Sequence, residues 1–297
     1  MISISGTIID SGVIKGQYMT DYIESKIINL LLSSDEVNNF DSMNQLVFEV
    51  TLRRSIINAA VELDKSELSF GKKAKCNPNY WELIEIGGLG GFLLKNGVKP
   101  SDAIRDIYIH SSEYVTECAN AMLIVYYKAL VDILPEEFFN ELFANLILID
   151  WEADKDLGIH DTQEPVIYLP GDCRYFKNPD VDPNHEEWQG ENTIDLGDGT
   201  FYGLGIGIAS AKKIIGILNS YRKSGSQVSA YLMTFARRPD FKSLSNKYFN
   251  YFTRSKFYQP ISIYSGNSGL TPVLPYSYSG FLYTPWCQDY RNPRCPN

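Results

Sequence analysis

Histidine, cysteine and methionine are scarce in this chain: three His, five Cys and five Met among 297 residues. The three histidines, His110, His160 and His185, stand far apart, and no two cysteines have C-x-x-C spacing, which excludes a zinc finger or ribbon. Cys76, Cys118 and Cys173 are scattered singly through the body. Cys287 and Cys295 can close a small loop near the end, although free thiols are expected of a chain made in a reducing cytosol. Basic charge is also short, with 27 Lys and Arg against 36 Asp and Glu and a net charge of −9. General attraction to nucleic acid or to an anionic membrane is therefore disfavoured. No apolar run approaches the roughly 18 residues needed to span a bilayer, and "AMLIVYY" reads as a buried helix segment. The beginning, "MISISGTIIDSG", has no positive stretch leading into an apolar one, so no secretory signal is read and cytoplasmic synthesis is expected.

What is present suits a globular body. A hydrophobic fraction of 44% with 21% charged residues allows one large or two modest cores. Residues 42 to 64 carry apolar side chains at helical spacing, and Ser42 followed by Gln45 predicts a capping box. "YWELIEIGGLGGFLLK" predicts two strands around a glycine turn. "KPSDAIRDIYIH" predicts a helix with Ser101 as its cap. A helix from about Cys118 to Leu134, apolar on nearly every side, is expected to be covered all round. "PEEFFNELFANLILID" predicts a shorter helix running into a strand. From residue 164 to 208 the pattern is β, with "ENTIDL" and "TFYGLGIGI" joined through Gly197-Asp198-Gly199. "SAKKIIGILNSYR" is a last amphipathic helix and "SAYLMTFARR" a last strand.

Past about residue 245 the composition changes. This segment is rich in proline, holds eight tyrosines, and has Asp289 as its single acid against five Lys and Arg, so it is +4 and leaves the body at −13. We divide the chain into a body of residues 1–244 and a basic Tyr/Pro-rich extension of residues 245–297.

Two residues carry candidate chemistry. Cys118 opens the apolar helix in "SSEYVTECANAMLIVYYKALVDIL". A lone cysteine there is either core or a nucleophile, and the unpaired N–H groups and positive dipole of a helix start favour the thiolate. Glu191, in the otherwise apolar strand "GENTIDL", is either exposed at an edge or buried for a purpose. Pairing through the Asp-Gly turn places it roughly opposite Gly205 and beside Leu204.

Longer blocks then agree. "KPSDAIRDI", "TECANAMLIVYYKALVD", "GDCRYFKNPDVDP" and "WQGENTIDLGDGTFYGLGIGI", in that order, resemble the bacterial spore-coat protein-glutamine γ-glutamyltransferases, the small transglutaminases of Bacillus and its relatives. The resemblance spans nearly the whole body and leaves out the extension. It implies an α/β (α+β) fold of the papain-like, NlpC type, with the nucleophile at the start of a buried helix packed on an antiparallel sheet. It also implies cofactor-free, calcium-independent cross-linking of proteins carrying reactive glutamine and lysine, and deposition in the spore coat. Neither nucleic acid nor membrane is an expected partner. Through the matching blocks Cys118 takes the role of nucleophile, Glu191 of its main partner and Glu117 of a secondary one. Where the family has a histidine in an "HG-x-GI" block, this chain reads "LGIGI", which puts Leu204 at that position. His110 and His185 are the substitutes to consider. A scaffold protein that kept the fold without the histidine, or a glutamine deamidase, is the alternative outcome.

The implied reaction favours a narrow, apolar site that keeps water from the thioester. Trp188, Tyr202, Tyr126 and Phe201 are candidates for its lining. Other signals lead elsewhere: "GLGIGIASAKK" lacks the third glycine of a dinucleotide loop, and "GGLGG" has no following helix. Asp172 and the Asp180/Asp182 pair sit in turns that Asx geometry explains better than calcium.

Overall fold

The computed structural model describes residues 1–10, 12, 14, 22–162 and 167–254. Two units are separable, Met1–Tyr248 and Phe249–Asn297. Cys287 and Cys295, with nearly all of the basic extension, lie outside the described residues.

Strands β1 (Ile2–Ile4) and β2 (Thr7–Ile8), with β3 (Asn38–Phe40), form a small sheet in the order β2-β1-β3. Helix α1 (Tyr22–Ser33) packs against it, burying Ile27, Ile28 and Leu31 with Ile2 and Phe40. Neither element was expected from the periodicity. Helix α2 (Met43–Asp64) begins where the capping signal placed it, with the Ser42 hydroxyl accepting from the Gln45 N–H. The reciprocal bond misses its expected donor by one residue: Gln45 Oε1 accepts from the Asp41 N–H at 2.8 Å.

After β4 (Ser69–Phe70), the hairpin β5 (Trp81–Ile86) and β6 (Leu89–Leu94) turns through Gly87 and Gly88, both at positive φ. Helix α3 (Pro100–Ile109) is not capped by Ser101. Ser101 lies in the first turn, fully buried, and its N–H donates to Asn140 Oδ1 at 2.9 Å. A 3-10 turn (Ser111–Glu113) and β7 (Val115–Thr116) lead into helix α4 (Cys118–Ile133). Helix α5 (Glu136–Leu142) and β8 (Ile147–Leu148) follow, and β8 completes a sheet in the order β5-β6-β8.

The largest sheet is antiparallel. It comprises β9 (His160–Asp161), β10 (Cys173–Lys177), β11 (Gly190–Asp195), β12 (Thr200–Gly203), β13 (Gly207–Ser210), β14 (Tyr231–Leu232) and β15 (Arg237–Arg238). Its main path runs β13-β12-β11-β10-β15-β9, and β14 also pairs with β10. The stretch read as one strand, "TFYGLGIGI", is a second hairpin: it breaks at Leu204–Ile206, where Gly205 takes φ 88°. The last expected strand is likewise two short ones, β14 and β15.

Helix α6 (Ala211–Ser220) covers one face of this sheet, where Ile214 and Leu218 meet Phe176, Phe201 and Ala209. Strand alternation sends the neighbours of those residues to the opposite face, where α4 packs on β11 and α2 packs on α4. Of α4, Ala121 through Tyr127 are fully buried, so the apolar run is a central helix. Helix α7 (Phe241–Arg254) closes the described chain, with Phe241, Leu244 and Tyr248 buried.

Candidate active site

Helix α4 delivers Cys118 at its first residue. Glu117 is the N-cap in extended conformation, and its side chain makes no capping bond. The first intrahelical bond at this end runs from the Ala121 N–H to the Glu117 carbonyl. The amide groups of the first turn thus present unneutralised partial positive charge around the sulfur.

The sheet supplies the facing residues. In β11, Glu191 and Asn192 are adjacent, and of the two it is Asn192 that lines the cavity around Cys118. Asn192 pairs with Tyr175, and both line the space around Cys118. Asn192 Nδ2 donates to Cys118 Sγ at 3.3 Å, and the Asn192 backbone N–H donates to the same sulfur. Glu191 pairs with Phe176, a member of the cluster beneath α6. Its carboxyl lies against Gly203, where a Cβ would stand 2.8 Å from Oε1, so only glycine leaves room for it. Glu191 is 3% exposed, and Oε1 is buried without a hydrogen-bond partner.

Burial dominates the electrostatics. It pushes the Glu191 carboxyl well above the usual range, opposed by a hydrogen bond from the Leu204 backbone N–H. Burial also raises the Cys118 thiol, helped by the charge of Glu191 and, more weakly, of Glu117; the two donors of Asn192 pull it down. Glu191 and Cys118 each oppose ionisation of the other, so near neutrality the pair holds at most one negative charge. Glu117 is raised first by burial and then by Asp150, with Lys72 opposing.

An open cavity of about 680 Å³ surrounds the sulfur. Its apolar lining includes Phe70, Leu89, Trp151, Tyr175, Met233 and Phe235, and its charged members include Lys72, Glu117, Asp150 and Arg237. None of the four aromatics expected there takes part. Tyr126 is fully buried with its hydroxyl donating to the Arg237 carbonyl at 2.9 Å, and Tyr202 is core. Phe201 and Trp188 pack in the α6 cluster, with Trp188 stacked on Tyr221 at 4.3 Å. Large aromatics next to a site in sequence were claimed by the packing of the sheet, and residues from β4, β8 and β14 and the chain beside them supply the lining instead.

Leu204 is buried in the β12–β13 turn and reaches Glu191 through its backbone N–H. None of the three histidines lines the cavity. His110 ends α3 with Nδ1 2.6 Å from Asp106, and His185 sits in the 3-10 turn Pro183–Trp188 with Nδ1 3.5 Å from Glu187. Asn192 was overlooked in the sequence, although the alternation of "GEN" assigns only one of its last two residues to the face of α4.

A cysteine at the head of a buried helix, set against an antiparallel sheet and opening on a cavity, defines a papain-like cysteine enzyme. The family model described as protein-glutamine gamma-glutamyltransferase matches residues 1–248. The protein-glutamine gamma-glutamyltransferase of Bacillus mycoides (strain KBAB4) is 42% identical over 224 residues, 75% of this chain and 80% of that one. That of Bacillus cereus (strain 03BB102) matches to the same extent. Among solved structures, a transglutaminase from Geobacillus stearothermophilus without its C-terminal extension superposes with a TM-score of 0.66 at 48% identity, covering 70% of this chain and 98% of that one. The chain belongs to the protein-glutamine γ-glutamyltransferase family and is an acyltransferase.

Proposed function

We propose that Cys118 is the nucleophile of this transglutaminase, that Glu191 is its proton acceptor and donor, and that Glu117 acts as a secondary carboxylate. In the first half-reaction the sulfur attacks the side-chain carboxamide carbon of a protein glutamine. The thiol proton passes to Glu191 and then to the departing nitrogen, ammonia leaves, and a thioester remains. A lysine amine attacks the thioester carbon, loses its proton to the carboxylate and releases the thiolate, leaving an ε-(γ-glutamyl)lysine isopeptide. No cofactor or calcium ion enters this scheme. Deposition on the spore surface and coat proteins as substrates complete the proposal, resting on the resemblance to the spore-coat enzymes.

The observation that carries the residue assignment is the sulfur itself. Cys118 opens on a cavity of about 680 Å³ from an uncapped helix start, with the buried Glu191 carboxyl near enough for its charge to oppose ionisation of the thiol. Burial lifts Glu191 above an exposed carboxylate near 4.3, the direction that favours its taking a proton, while it also pushes the Cys118 thiol up to about 12.

Incorporation of a fluorescent amine into a glutamine-rich protein tests the scheme. Wild type should label, while Cys118→Ala should lose all detectable labelling and Glu191→Gln should lose about 10²-fold or more in kcat. Labelling that survives Cys118→Ala removes the assignment. Ammonia release without labelling marks a deamidase, and neither product marks a scaffold.

A further inference from the structure

We propose that Asn192 is a catalytic residue: its side-chain amide and backbone N–H hold the Cys118 sulfur anion and then the oxyanion of the tetrahedral intermediate. The inference rests on Cys118 being the nucleophile and adds a group to that site.

The geometry is direct. Asn192 Nδ2 donates to Cys118 Sγ at 3.3 Å, the side-chain hydrogen bond to that sulfur among the described residues. Asn192 stands in the middle of a paired strand, held opposite Tyr175 in β10, so its position is fixed by the sheet. Burial first, then Glu191 and, more weakly, Glu117 work against the thiolate. Two N–H donors from one residue are what oppose them. The two donors lower a thiol that burial and the neighbouring carboxyls still hold up at about 12, so they favour the anion when it forms during attack and do not create it at rest.

The same donors suit the next step. As the S–C bond forms, the carbonyl π pair moves onto oxygen, and negative charge leaves the sulfur for an atom bonded to the carbon it attacks. A carboxamide N–H already aimed at the sulfur needs to pivot only slightly to follow that charge. Donors placed in advance where charge develops are worth far more than donors recruited from water.

Alkylation of the full chain by iodoacetamide, followed from neutral to strongly alkaline pH by mass spectrometry of the Cys118 peptide, reads the ionisation of this sulfur without turnover. In Asn192→Ala the alkylation midpoint should rise by about one pH unit or more, and kcat for amine incorporation should fall about 10²- to 10³-fold with KM within about threefold. Near-isosteric Asn192→Asp puts a further carboxyl against the sulfur and should raise the midpoint at least as far. Midpoints coinciding with wild type in both variants, or wild-type kcat in the Asp variant, overturn the proposal. If Asn192→Ala fails to fold, the Asp variant decides; loss of fold in both counts against a catalytic role and for a structural one. A wrong nucleophile is distinguishable, because it leaves activity in Cys118→Ala whatever Asn192 does.

Discussion

At position 204, where the resemblance read from the sequence implies a histidine, this chain has leucine, and the structure gives that leucine a task its side chain does not perform. Its backbone N–H donates to the buried Glu191 carboxyl, while the isobutyl group is 4% exposed in the turn after β12. A turn places a backbone donor whatever the side chain is, so this support for Glu191 does not need an imidazole at position 204. Oε1 of Glu191 is still unpartnered, and leaving a buried acceptor unmade costs about 1–3 kcal/mol. Leu204→His sets a titratable ring beside this carboxyl. Amine incorporation should rise by about 2- to 10-fold in kcat, a part of what a well-placed acid–base group can give. A rate equal to or below wild type would show that the turn is packed around leucine. At this scale Cys118 and Glu191 were legible as candidates because a lone thiol at a helix start and a lone acid in an apolar strand are local anomalies. Asn192 was less conspicuous, since an amide beside a glutamate is no anomaly until the strand's two faces are told apart.

At the scale of elements, the strand that carries Glu191 and Asn192 depends on its neighbour β10, whose entry is pinned by buried charge. Arg53 of α2 and Asp172 are both completely buried as side chains, 2.8 Å apart. Arg238 of β15 reaches the other Asp172 oxygen at 2.5 Å, and the Leu169 N–H donates to that oxygen at 2.9 Å. Glu49 lies 2.8 Å from Arg53, one turn earlier on α2. One carboxylate thus ties a helix, the start of β10 and β15 together. Replacing such a pair wholesale with apolar residues can be harmless, but removing one partner strands the other. Asp172→Asn keeps the shape and should lower unfolding free energy by about 3–5 kcal/mol, read from the midpoint of urea denaturation at unchanged slope. A loss below about 1 kcal/mol would mean that Glu49 alone neutralises Arg53. In the sequence Asp172 read as a turn residue. The turn is there, but Arg53, which donates to the Asp172 carboxylate, lies 119 positions away, and a local pattern carries no signal at that separation.

For the molecule as a whole, the question is where the enzyme ends. The family match and the first compact unit both stop at residue 248, a little beyond the change of composition near residue 245. The residues between explain why the exact cut matters. Tyr248 packs its ring on Phe48 at 5.5 Å and on Phe138 at 6.2 Å, and Arg53 stands 4.3 Å over the ring of Phe241. Burying each side chain of this size contributes about 1.5–3 kcal/mol. A chain ended after Arg254 should keep the thermal midpoint and amine-incorporation rate of the full chain. One ended after Asp240 should unfold about 10 °C lower or more. Equal midpoints for the two would show that α7 is dispensable to the core.

By itself the sequence determined the elements whose signals are short in range. The apolar length of α4, the Ser42 cap of α2, and the glycine turns of two hairpins follow from spacing and from backbone preference at single residues, which act over a few positions. The tertiary structure decided what those elements enclose. Tyr126, Tyr202 and Phe201 went to the core and Trp188 to its half-buried edge beneath α6, while Phe70, Trp151 and Phe235 came to the cavity from distant segments. Whether an aromatic packs or lines depends on which surfaces meet across the sheet. That is settled by the sum of many weak contacts between residues far apart in the chain, and no local pattern encodes it.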